Sequence, residues 1–289
     1  VRFTAFLAAL LFVCPSLSSA QANDLDPEAA RLYNRGVELY SSGDLAGASA
    51  AFDSSLAISP DYADAHYGLG LVLRKEGKES EALGAFGKAV ELDPSNSLAW
   101  YNIGLIHADS KTAQGYRSAA EAYEKAVAAN PAYANAYFAL GFCYDKLKQP
   151  AEARDNLQMY VALDSTNATA YYLLASAHED LRENGAGIAA LEKAVALDPS
   201  YAKALYKLAE FLEASGRLSE AIARYEDAAS TGGADYLKAY CRIGDILERL
   251  GKVDAAIGQY EKVTASAGKW YTYAQDKIKY LTHKAKTSS

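Results

Sequence analysis

The chain repeats itself. Pro60 and Pro94 stand 34 residues apart, and Pro131 and Pro199 stand 68 apart. Alignment on these prolines fills further columns. A small residue recurs at Gly36, Gly70, Gly104, Gly141, Ala175, Ala209 and Gly244. A second small column reads Ala48, Ala82, Ala119, Ala153, Gly187, Ala221 and Ala256. Four residues later come Phe52, Phe86, Tyr123, Leu157, Leu191, Tyr225 and Tyr260, and four before the first small column come Leu32, His66, Trp100, Tyr137, Tyr171, Leu205 and Tyr240. Apolar residues at i, i+3, i+4 and i+7 make each copy two amphipathic helices. Gly43, Gly77, Gly216 or Gly251 lies between them, suited to the left-handed conformation that ends a helix. Small columns let large side chains of a crossing helix sit in the gap. One such pair cannot bury its apolar face alone, whereas a stack can. The expected fold is therefore all-α, a solenoid of about seven helix pairs.

Composition agrees. Of 289 residues, 51% are hydrophobic and 22% charged, which excludes a disordered chain. The net charge of −7 makes non-specific nucleic-acid binding unfavourable. Three cysteines are too few for a disulfide scaffold, and Cys143 and Cys241, three repeats apart, read as free thiols.

Residues 1–20 stand outside the repeat. Arg2, the apolar run from Phe3 to Cys14, and Ser18-Ser19-Ala20 supply the three parts of a secretory signal peptide. The run is shorter than the roughly 20 residues of a bilayer span. Cleavage before Gln21 and a periplasmic or secreted protein are expected. Membrane association would follow only from an uncleaved signal or a lipid on Cys14, where Val13 and Pro15 are poor neighbours for lipidation. Val1 is what a GTG start codon reads as literally, which points to a bacterium. The expected organisation is signal peptide 1–20, lead-in 21–28, seven repeats over 29–268, a capping helix over 269–284 and a polar tail 285–289. Asp26 and Pro27 form the start signal of the first helix.

The columns resemble those of the tetratricopeptide repeat family, W-x2-L-G-x2-Y followed by A-x3-F, A and P. The copy at 97–131 carries it as Trp100, Ile103, Gly104, His107, Ala119, Tyr123, Ala126 and Pro131. That copy also has three extra residues, placed in its inter-helix loop around Ser110 to Arg117. The resemblance implies a right-handed superhelix whose concave groove is lined by the first helix of each pair. It places in the groove the column Tyr33, Tyr67, Tyr101, Phe138, Tyr172, Tyr206 and Cys241. Four residues on come Val37, Leu71, Leu105, Phe142, Ser176, Glu210 and Asp245. Six aromatics form a ladder over an apolar strip in repeats one to four. Lys203, Lys207, Lys238 and Arg242 make a basic cluster in repeats six and seven, interleaved with Glu210 and Asp245. Two readings of the ladder stand: a surface that binds a protein or peptide partner, or rings that only brace neighbouring helices. The family's carboxylate clamp is not carried over. Lys238 and Arg242 match its last pair, but Lys207, Tyr172 and Ser176 stand at its other positions.

No constellation meets the geometric tests for catalysis. His66, His107 and His178 occupy core columns without metal-ligand spacing. There is no Gly-rich phosphate loop and no G-x-S-x-G. The sequence thus implies a non-enzymatic adaptor of the bacterial cell envelope, without cofactor or metal, that binds a protein or peptide partner and no nucleic acid or small-molecule substrate. The alternative is a structural or accessory subunit of an envelope secretion or polysaccharide-export assembly.

Overall fold

A computed structural model describes residues 25–233 and 236–287. The signal segment 1–20, with Cys14, lies outside the described residues. Among those described there are fifteen α-helices and no strands. They fall into two compact units, Val1–Cys143 and Tyr144–Ser289.

The first unit holds α1 (Pro27–Ser42), α2 (Leu45–Ile58), α3 (Ala63–Lys75), α4 (Glu79–Leu92), α5 (Ser97–Asp109), α6 (Ala113–Ala129) and most of α7 (Ala134–Lys146). The second holds α8 (Pro150–Leu163), α9 (Ala168–Asp180), α10 (Asn184–Leu197), α11 (Ala202–Ala214), α12 (Leu218–Ser230), α13 (Lys238–Arg249), α14 (Val253–Tyr260) and α15 (Lys269–Thr287), with a short 3-10 turn at Ala265–Ala267. Within each unit the most extensive contacts join helices adjacent in sequence: α1 with α2, α3 with α4 and α5 with α6 in one; α9 with α10, α11 with α12 and α13 with α14 in the other. The first helix of each pair is called the A-helix below, the second the B-helix.

The start signal reads as expected. The Asp26 carboxylate accepts from the backbone N–H of Glu28 at 2.8 Å, and Pro27 occupies the first helical position. The two small columns and the large one interlock. A methyl added at Gly104 would lie 2.4 Å from the Tyr123 ring, and one at Gly70 would lie 2.6 Å from Phe86. Phe52, Phe86, Tyr123, Tyr225 and Tyr260 are fully buried in these seats. Gly43, Gly77, Gly216 and Gly251 all take positive φ where A-helix turns into B-helix. Lys111, Lys148 and Arg182 take the same left-handed conformation in the other three copies, without glycine's freedom.

The three extra residues of the third copy do not lengthen its loop. They lengthen α6 to 17 residues, against 14 in α2 and α4. Thr112 caps the extended helix by accepting from Gly115 N–H at 2.9 Å. The proline column has a partner too: His66 Nε2 meets the Pro60 carbonyl at 2.8 Å, and Trp100 Nε1 donates to the Pro94 carbonyl at 3.0 Å. These two residues, 34 apart, fasten the start of their A-helices to the preceding turn.

Candidate functional site

The A-helix faces carry the expected partner-binding residues, and each unit is described by itself. In the first unit, Tyr33 and Tyr67 are only 4% and 8% exposed. Tyr33 lies with ring centroids 5.8 Å from Phe52 and 5.1 Å from Tyr62, and Tyr67 lies 5.7 Å from Phe86. Tyr101 is half-buried between Tyr123 at 5.4 Å and Tyr133 at 5.0 Å. Each ring thus fills the angle between its own A-helix, the following B-helix and, in two copies, the start of the next repeat. Val37, Leu71, Leu105, Phe138 and Phe142 are half-buried, Phe142 standing edge-on to Tyr116 at 6.2 Å.

In the second unit Tyr206 is 9% exposed, seated 5.2 Å from Tyr225 and 6.4 Å from Tyr236. Tyr172 is half-buried, 5.4 Å from Tyr201. Burial leaves Tyr33, Tyr67 and Tyr206 as braces between helices. Of these three, Tyr206 also lines the cavity described below. The half-buried members of the two columns keep part of their surface exposed.

The basic cluster divides in the same way. Lys207 donates to Glu179 Oε2 at 2.5 Å, and Arg242 donates to Glu213 Oε2 at 3.1 Å. Lys277 of α15 donates to Glu248 Oε2 at 2.6 Å. These three pairs share one register, 28 or 29 residues apart, and join each A-helix to the next. Glu213 also accepts from Arg249 at 2.6 Å and from the Tyr225 hydroxyl at 3.0 Å. The acidic column is likewise committed, because Asp245 accepts from the Tyr260 and Tyr273 hydroxyls at 2.8 and 2.6 Å. Sequence reasoning had assigned Lys207 and Arg242 to a partner and missed Glu179, Glu213 and Glu248. Opposite charges at constant separation were the signal that could have found them. Lys203 makes no ion pair among the described residues, and the Lys238 ammonium stands 4.2 Å over the Tyr206 ring, a cation–π arrangement.

A half-open cavity of about 520 Å³ lies on the A-helix face of the second unit, with Tyr206 and Tyr236 in its lining. Tyr172 on α9 and Lys203, Lys207 and Glu210 on α11 form one side, and Lys238 at the start of α13 forms the other. The 3-10 turn residues Ser266 and Ala267 and the indole of Trp270 close its end. Three lysines face one carboxyl, so the lining is cationic. Burial pushes the Glu210 carboxyl above its usual range, against the pull of Lys207, Lys238 and Arg242. Apolar and aromatic walls with a few placed polar groups are the usual lining of a ligand site.

No group of His, Cys, Asp and Glu among the described residues could hold a metal ion. The expected core role of the histidines is explicit at His178, whose Nδ1 meets Glu183 Oε2 at 2.6 Å while Arg154 donates to Glu183 Oε1 at 3.0 Å. Cys143 and Cys241 are free and buried, and burial pushes both thiols up to about 12. No described helix is long and apolar enough to cross a membrane.

Stacked helix pairs with small-residue seats and an aromatic-cationic inner face define an all-α repeat scaffold for protein interaction. The chain belongs to the tetratricopeptide repeat family: profiles of that repeat match residues 33–97, 122–155, 172–236 and 237–269. No curated protein sequence matches it. Among solved structures it is similar to that of MamA protein, at 32% identity over 61% of this chain and 94% of that one, with a TM-score of 0.55. It is also similar to MamA from Desulfovibrio magneticus RS-1, at 23% identity over 61% and 98%, with a TM-score of 0.52. A third likeness is to YrrB, described as a tetratricopeptide repeat protein with an unusual peptide-binding site, at 22% identity over 63% and 92%, with a TM-score of 0.58. The last two show the fold alone. Proteins of this family are generally interaction modules without catalysis.

Proposed function

We propose that this chain is an exported, non-enzymatic adaptor of a bacterial cell envelope that holds a segment of a partner polypeptide on its A-helix faces. The observation that carries the reading is the cavity on the second unit. It is large enough for several side chains, walled by aromatic rings, and contains a lysine, Lys203, with no ion-pair partner among the described residues. The YrrB likeness supports a peptide as the kind of ligand, and the tripartite start of residues 1–20 supports export.

Photo-crosslinking tests it. A benzophenone side chain placed at Lys203 or Ala267 captures a polypeptide in the envelope fraction. One at Met159, 46% exposed on α8, does not. Equal capture at both places, or capture at neither, removes the reading. N-terminal sequencing of the protein from an osmotic-shock fraction finds Gln21 first; retention of residues 2–20 removes the export claim.

A second reading is favoured by the burial of Tyr33, Tyr67 and Tyr206. It makes the chain a structural or accessory subunit of an envelope secretion or polysaccharide-export assembly, with the rings as braces. It predicts that Tyr101→Ala with Phe138→Ala lowers the melting temperature without selective loss of a partner.

A further inference from the structure

At the register that carries Glu179, Glu213 and Glu248 in the second unit, the first unit has Tyr40, Arg74 and Ala108, so one copy carries the opposite charge. Arg74 stands in the last turn of α3. In the second unit each of those carboxylates meets a lysine or arginine of the next A-helix. Arg74 meets Asn102 of α5, which accepts through Oδ1 and brings no charge. Asn102 spends its own amide N–H on the Leu98 carbonyl at 2.8 Å. Among the described residues Arg74 makes no ion pair.

A guanidinium has five N–H donors in a planar fork. One goes to Asn102 Oδ1. None of the rest is among the buried side-chain atoms that lack a partner, and the residue keeps part of its surface exposed. The charge is nonetheless surrounded. Arg74 is half-buried and bears electrostatically on the phenols of Tyr67, Tyr101 and Tyr133. The Tyr133 hydroxyl is itself buried without a hydrogen-bond partner. In the second unit every such cross-helix contact pairs a cation with a carboxylate. Here one cation is left open.

We infer that Arg74 receives the carboxylate of an aspartate or glutamate in an extended, otherwise apolar segment of the partner polypeptide. The fork of the guanidinium matches a carboxylate with two parallel hydrogen bonds. The flanking positions set the rest of the ligand: Leu71 and Leu105 lie beside Arg74 in the groove columns, and both are half-buried and apolar. A polyanion is disfavoured, because the chain carries a net charge of −7 and this site offers one open cation. The assignment rests on the polypeptide-binding reading above and deepens it for the first unit, away from the Lys203 cavity.

The test is selection from a random dodecapeptide display library on the purified protein. Affinity is then measured for one selected peptide and for its analogue with the acid replaced by the amide. The selected peptides are expected to carry one acidic residue flanked by apolar ones. Arg74→Met is expected to weaken the acidic peptide at least tenfold, the scale of a charge-assisted pair, and to leave the amide analogue unchanged. Arg74→Lys recovers part of the loss, which separates recognition from misfolding, and circular dichroism confirms helicity in both variants. Met159→Glu, on the exposed side of α8, leaves this peptide's affinity within twofold. Selected peptides without an acid, no selected peptide at all, equal loss for both peptides, or loss through Met159→Glu in place of Arg74→Met each overturn the assignment. The crosslinking at Lys203 decides the broader function independently, so the two failures are told apart.

Discussion

Asp64→Asn isolates the cost of one buried carboxyl. Asp64 sits in the first turn of α3, 8% exposed, and no donor among the described residues bonds to its side chain. Burial, and secondarily the Asp93 carboxylate, push its acid up from 3.8 to about 6. A raised folded value means that the native state holds a proton which the unfolded chain has already released between pH 4 and pH 6. The associated stability is therefore complete below about pH 4 and is lost as pH rises through about 6. Two pKa units at 1.36 kcal/mol each set the penalty at neutral pH at about 3 kcal/mol. The carboxylate recovers some of this from the helix N-terminus, about 0.3–1 kcal/mol, which the amide gives up. The net expectation is that Asp64→Asn stabilises the protein by about 2 kcal/mol at pH 7.5 and by much less at pH 4.5. Urea denaturation followed by far-ultraviolet circular dichroism at both pH values measures it. A variant no more stable than its parent at pH 7.5, or a gain that does not shrink on acidification, would show that the carboxyl is solvated.

Other perturbations follow from the packing. Ala119, fully buried in the second small column, should not admit a larger side chain: Ala119→Leu lowers stability by roughly 1–3 kcal/mol through overpacking, read from the denaturation midpoint. Glu213→Ala removes the shared acceptor of Arg242, Arg249 and Tyr225, and a loss of about 1–3 kcal/mol is expected because Arg242 Nε is already buried without a partner. Cys143 and Cys241, with thiols held near 12 inside the core, should react with an aromatic disulfide reagent at pH 8 only after urea is added. Prompt reaction in the folded protein refutes their placement.

The fold was legible because its determinants recur. A glycine opposite a large ring, as at Gly104 and Tyr123, depends on contacts internal to one helix pair, and four copies carry it in the same columns, the others having alanine or leucine there. The extra turn of α6 was less legible, because three inserted residues fit equally well in a loop or at a helix start. Only the Thr112 cap decides for the helix. The site was legible in position more than in role. Sequence could place Tyr67 and Tyr101 in one column, yet burial separates them: Tyr67 is almost wholly enclosed and Tyr101 is not. Lys203 and Lys207 are four residues apart on one helix and looked equivalent. Glu179 lies within reach of Lys207 alone, and that depends on how α9 meets α11, which no local pattern encodes.

The abundance of tyrosine follows from the same division of labour. A ring between two A-helices and a B-helix must fill a deep angle while its hydroxyl ends near polar groups, and tyrosine does both where phenylalanine does one. Tyr225 reaches Glu213, and Tyr260 reaches Asp245. The carboxylates that accept these hydroxyls also meet the basic side chains of the next A-helix, Arg242 for Glu213 and Lys277, at 3.8 Å, for Asp245. One polar network thus ties ring, repeat and neighbour together in the second unit, and it consumes the charges that would otherwise face a ligand. That network is interrupted at Lys203, which makes no ion pair among the described residues, and at Arg74, which takes the acid's place in the register and meets Asn102 where the second unit has a lysine or arginine. A repeat protein built from near-identical copies can distinguish partners only through such interruptions, because whatever is the same in every copy contributes equally at every register.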